Sequence, residues 1–115
     1  MDKWGASNWL QDVIFQINEG LGKGAVGVKI WKNIGMDYAL RLPDGALLMI
    51  DDEIFDPIFK YLEDENIVVV GHQGEPKNCW MPLEEMTMDS DRNYFAKHPE
   101  YHMFLHPAYP TYEEQ

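Results

Sequence analysis

The chain has 115 residues, 25% charged and 45% hydrophobic, with a formal net charge of −11 and one cysteine, Cys79. That length suits one domain, read here as residues 1–115, with enough buried area for a core that needs no metal or disulfide. A lone cysteine excludes an intrachain bridge, and no apolar run nears the ~20 residues of a membrane span.

The charge is divided unevenly along the chain. Residues 1–50 hold five acids and five bases, whereas residues 51–115 hold fifteen acids against Lys60, Lys77, Arg92 and Lys97. Phosphate neutralisation needs clustered Lys and Arg, so direct nucleic-acid binding is not expected, nor is an anionic membrane surface. The start "MDKWGASNW" lacks the basic-then-apolar order of a secretion signal, which gives an expectation of a cytoplasmic protein.

In chain order, "SNWLQDVIFQINEGLG" places Trp9, Leu10, Val13, Ile14, Ile17 and Leu21 at helical spacing. Ser7 is the expected cap, and Gly20 and Gly22 the expected stop. "GAVGVKIWKN" alternates as a strand does. "MDYALRL" and "ALLMI" flank the turn sequence "PDG", which predicts a β-hairpin over 38–50. Asp56 before Pro57 opens a central helix with Ile58, Phe59, Tyr61 and Leu62 on its buried side. "NIVVVG" reads as a buried strand, "HQGEP" as a turn, and "KNCWMPL" as a strand pairing back. Two short helices are expected in "SDRNYFAKH" and "PEYHMFLH", and residues 107–115, with two prolines, as an irregular surface tail. The expected architecture is α+β: a mainly antiparallel sheet of four to five strands, with an N-terminal helix, a central helix and short C-terminal helices packed on it.

No catalytic motif emerges, and an enzyme is not expected. "GLGKG" at 20–24 leads into a strand, so it cannot aim a helix amino terminus at a phosphate. Cys79 lies in locally negative surroundings, where a thiol is an inert small hydrophobe rather than a nucleophile. His102 and His106 are four residues apart, the spacing of a zinc half-site on a helix. Pro99 and Pro107 confine that register to a single turn, and the partner ligands are not evident. A metal module using His102 and His106 is the alternative reading; no cofactor is expected.

The acids carry the first reading. Glu63, Asp64 and Glu65 fall at the carboxyl end of the central helix, where the helix dipole prefers cations. The acidic half also carries ten of the fifteen aromatic residues. Tyr and Trp bordered by acids match the makeup of a protein-binding surface steered to a basic patch. The expected contact set is Asp51, Asp52, Glu53, Asp56, Glu63, Asp64, Glu65, Glu84, Glu85, Asp89 and Asp91, with Tyr109 and Tyr112 in the tail. The expected partner is a basic protein, a toxin or a nucleic-acid enzyme. Immunity proteins against nuclease toxins and phage inhibitors share this profile of size and charge, an analogy of type without a sequence match. A subunit of a homo-oligomeric assembly is a further alternative.

Overall fold

The computed structural model describes residues 3–37, 39–72 and 74–115. Tyr38 of the expected hairpin and Gln73 of the expected "HQGEP" turn lie outside these.

Helix α1, Trp9–Gly22, presents Trp9, Leu10, Val13 and Ile17 to one apolar cluster. The expected ends shift slightly. Asn8 takes the cap position without a side-chain bond, and Gly20 and Gly22 sit inside the last turn. The left-handed residue that turns the chain away is Gly24, at φ +98°. Strand β1, Gly27–Ile30, follows. A kinked turn, α2 (Asn33–Met36), comes next, bent at Gly35 with φ +89°.

The hairpin over 38–50 is reduced to its turn. Leu42 N–H donates to Ala46 O at 2.9 Å, Leu48 N–H donates to Leu40 O at 3.0 Å, and one antiparallel bridge joins Arg41 to Leu47. Each arm is consumed by a further turn. Leu40 N–H bonds back to Asp37 O, and Asp52 N–H to Met49 O, so neither arm is long enough for a strand. Leu40 and Leu48 both point inward and anchor the turn in the core.

Helix α3, Asp56–Asp64, carries Pro57 in its first turn as expected and buries Ile58 and Leu62. It packs on α1 and leads into strand β2, Val68–Gly71. β2 pairs with β1 in parallel, Gly27 opposite Val68 and Ile30 opposite Gly71. Among the described residues the sheet has these two strands and no others. The expected four- to five-stranded, mainly antiparallel sheet is therefore corrected to a two-stranded parallel one. Its long crossover through α3 is what parallel pairing demands.

The burial expected for "NIVVVG" also fails. Val68, Val69 and Val70 are 62%, 36% and 53% exposed, since among the described residues no third strand pairs with β2. Gly27 is fixed by this pairing: a Cβ there would lie 2.8 Å from the carbonyl oxygen of Val68. Gly27→Ala should lower the urea midpoint by an amount equivalent to about 1–3 kcal/mol, the cost of over-packing against backbone. An unchanged midpoint would contradict the register.

The expected strand "KNCWMPL" is instead two successive 3-10 turns, Lys77–Trp80 and Leu83–Glu85, each capped by a proline, Pro76 and Pro82. Proline donates no backbone N–H, so neither position can join a ladder. Helix α4, Asp89–Lys97, has Asp89 and Asp91 at its start and Lys97 at its end, all favourable to its dipole. The second expected C-terminal helix breaks into the 3-10 turns Pro99–Tyr101 and Met103–Leu105.

Two cores result. Trp9, Leu40, Leu48, Phe55, Ile58 and Leu62 form one, and Cys79, Met86, Phe95 and Met103 the other. Met36 reaches from the first half of the chain onto the second core. The Lys32–Glu75 ion pair and a bond from Gln115 Nε2 to Gly35 O, 3.0 Å, also cross between the halves. The radius of gyration is 16.7 Å, against roughly 13 Å for a compact chain of this size. A cleft lies between residues 31–37 and the second core.

Candidate partner-binding site

The expected contact acids divide into two kinds. Four have structural work. Asp52 Oδ1 accepts the N–H of Ile54, Asp64 pairs with Lys60, Asp89 pairs with Arg92, and Asp91 Oδ2 accepts from Asn78 Nδ2 at 2.8 Å. The other seven, Asp51, Glu53, Asp56, Glu63, Glu65, Glu84 and Glu85, are exposed. Their carboxylates make no ion pair among the described residues.

These acids do not converge on one face. Glu53 and Asp56 line a shallow groove with Asp44 and Asp52 at the start of α3. Glu63 and Glu65 lie at its other end, about 13 Å along the axis for a helix of nine residues. Glu84 and Glu85 belong to the second core's outer turns.

The tail tyrosines part company too. Tyr109 is half-buried and packs on the second core, contrary to its expected exposure. Tyr112 is 42% exposed, set edge-on to Trp80 with Lys77 Nζ 5.6 Å from its ring centroid. Residues 107–115 are tethered: Trp80 Nε1 donates to Pro110 O at 2.9 Å. Thr111 N–H and Oγ1 both donate to Glu114 Oε2, at 2.8 and 3.0 Å. These bonds hold the Glu114 carboxyl below its ordinary range, the backbone one foremost.

His102 and His106 do not share a helical face. The 3-10 turns place His102 and His106 at junctions between turns, so helical register is lost. His102 is buried between Phe95 and Phe104, its Nε2 2.8 Å from Met81 O. His106 Nε2 lies 2.9 Å from Pro99 O. A carbonyl only accepts, so each Nε2 carries its proton and donates. Among the described residues no three His, Cys, Asp or Glu side chains gather as a metal would need.

Cys79 is fully buried, its thiol donating to Tyr101 O at 3.0 Å and accepting the N–H of Met103 at 3.5 Å. Burial pushes the thiol above its ordinary 9.0, partly offset by the Met103 bond. Below 9.0 the thiol is protonated in both folded and unfolded chains. Between the unfolded and folded values only the unfolded chain loses the proton, so stability falls as pH rises through this window. Urea midpoints should drop more steeply above pH 9.0 in the native chain than in Cys79→Ser, whose hydroxyl keeps both bonds without ionising. Parallel curves for the two would show that Cys79 does not titrate late.

The cleft between residues 31–37 and the second core, a cavity of about 490 Å³, gathers side chains from both halves. Trp31, Lys32, Asn33, Met36 and Asp37 come from the segment after β1. Glu75, Tyr94, Glu100, Tyr101, Met103 and Tyr109 come from the second half. Met103 is buried, while Trp31, Tyr94 and Tyr101 are 54%, 49% and 52% exposed. Lys29 Nζ stands 5.8 Å from the Trp31 ring centroid, and Lys32 sits on Glu75. Glu100 Oε1 lies 3.3 Å from His98 Nδ1. Its carboxyl is held below the ordinary range, chiefly by its own backbone N–H and further by His98.

The expected contact set omitted Trp31, Asp37, Tyr94, Glu100 and Tyr101. One signal for Tyr94 was present: it adjoins Phe95 on a helix, where neighbours diverge by about 100° and cannot both face the core. Compared with known protein families, with characterised proteins and with solved structures, the chain gives no significant match in any of the three.

Proposed function

We propose that this protein is a small acidic binding protein that neutralises a basic, nucleic-acid-handling protein by covering its cationic surface. The observation that carries the reading is the set of seven exposed carboxylates without an internal cation, all within residues 51–85. A folded chain gains nothing in stability from such a set, and at the end of α3 Glu63 and Glu65 oppose the helix dipole. A cationic partner supplies the missing charges. Encounter is then fast and screened by salt, over about 8 Å at physiological ionic strength. The test is capture from a lysate on the immobilised protein at low and high salt. Enrichment of basic nucleases or other nucleic-acid enzymes, lost at high salt, is expected. Capture that ignores salt, or yields no basic partner, refutes the reading.

The exposed valines of β2 favour a second reading, self-association through that strand, since an open edge with apolar faces is a template for pairing. Light scattering coupled to size exclusion decides it. A dimer that Val70→Lys returns to monomer supports self-association, and a native monomer at high concentration removes it.

A further inference from the structure

We propose that the cleft between residues 31–37 and the second core is a receptor for a single arginine or lysine side chain of the partner, held by the Tyr94 and Tyr101 rings, which flank His98, and by the Glu100 and Asp37 carboxylates. This rests on the binding function proposed above and names where its specific contact is made. The exposed acids elsewhere stand singly or in open grooves, where a carboxylate attracts any cation and selects none. The cleft differs in joining half-exposed aromatic faces to acids. A ring face attracts a cation through its quadrupole, and more strongly when water is partly excluded.

The chain's own cations already use this chemistry. Lys29 lies over Trp31, and Lys32 is paired with Glu75. With Lys32 and Glu75 cancelling, Asp37 and Glu100 leave the cleft two negative charges. No Lys or Arg other than Lys32 lines it among the described residues. His98 Nδ1, 3.3 Å from Glu100 Oε1, stands beside that carboxylate. Met103 and Met36 form apolar wall that suits the methylene stem of a long basic side chain.

The probe is a tetra-arginine peptide, titrated at low salt and at a pH where histidine is uncharged, and read by calorimetry. Tyr101→Ala and Glu100→Gln should each weaken binding about tenfold, the scale of a partly desolvated cation–π contact or a charged partner. Tyr101→Phe, which keeps the ring, should restore it. Glu113→Gln makes the same charge change at an exposed acid outside the cleft and should leave binding unchanged. Tyr101 is half-exposed, so melting curves should coincide across the set. Equal losses from Glu113→Gln and Glu100→Gln would overturn the cleft while leaving the broader binding function standing. Tyr101→Phe as weak as Tyr101→Ala would likewise overturn it. No binding of tetra-arginine by the native chain overturns it as well, and the lysate capture then judges the broader function separately.

Discussion

Phe95→Ala should cost about 3–5 kcal/mol, the range for removing a buried aromatic side chain. Phe95 is 4% exposed and sits in the second core with Cys79, Met86 and Met103. Its ring also stacks on His102, centroids 5.6 Å apart at 27°. Truncation therefore opens a cavity and removes one wall of a buried imidazole. That wall keeps competing water from the His102–Met81 bond. The second core is small, so few neighbours can relax into the space. Against a typical total stability of about 5–15 kcal/mol, this loss leaves a marginal fold. Urea denaturation followed by circular dichroism measures it. Phe95→Leu, which retains most of the volume, should lose markedly less. A loss under about 1 kcal/mol for the alanine variant would mean that the second core is not closed as described.

The second large effect is Leu48→Ala, expected to cost about 2–5 kcal/mol. Leu48 has no exposed surface, and its N–H donates to Leu40 O across the turn "PDG". Here the hairpin is too short to stand by its ladder, so the side chains of Leu40 and Leu48 hold the turn onto α1 and α3. Removing one should loosen the whole 40–48 loop. Amide hydrogen exchange should show it as faster exchange at Leu42 and Leu48, beyond the global loss. The two cores share no residue. Milder replacements, Leu48→Val with Phe95→Leu, should therefore add to within about 0.5 kcal/mol. A coupling well above that would mean that strain passes between the cores, through Met36 or the Lys32–Glu75 pair.

Both effects bear on the proposed contact. The cleft has one wall on the second core and the other on residues 31–37, which Ile34 anchors to the first core, so its width depends on how Met36, Lys32 and Gln115 hold the halves together. A variant that loosens either core should weaken a partner that enters the cleft more than one that meets only the carboxylates of α3. That difference is a second way to separate specific from diffuse binding.

Local pattern determined a definite part of this protein. The apolar stripe from Trp9 to Ile17 made α1, the Asp56–Pro57 pair started α3, and "PDG" made a turn, because each depends on residues within a few positions of one another. The asymmetry of charge was also plain, since composition needs no fold, and Glu63 and Glu65 fell at a helix end as their spacing required. Tertiary structure decided the rest. Alternation marked β1, and a continuous apolar run β2, as strands, but neither said anything of the partner. The pairing became parallel because α3, packed on α1, returns the chain to the same end of β1. The two prolines around 77–83 outweighed an apolar pattern that resembles a strand. Burial of aromatics was equally out of local reach. Tyr94 and Tyr101 line an open cleft and Phe95 a closed core, although all lie within eight residues of one aromatic-rich segment. The site joins Trp31 and Asp37 to Tyr94, Glu100 and Tyr101 across more than fifty positions of chain. Contacts at that separation are set by how two cores dock, a balance of packing that no short window of sequence contains.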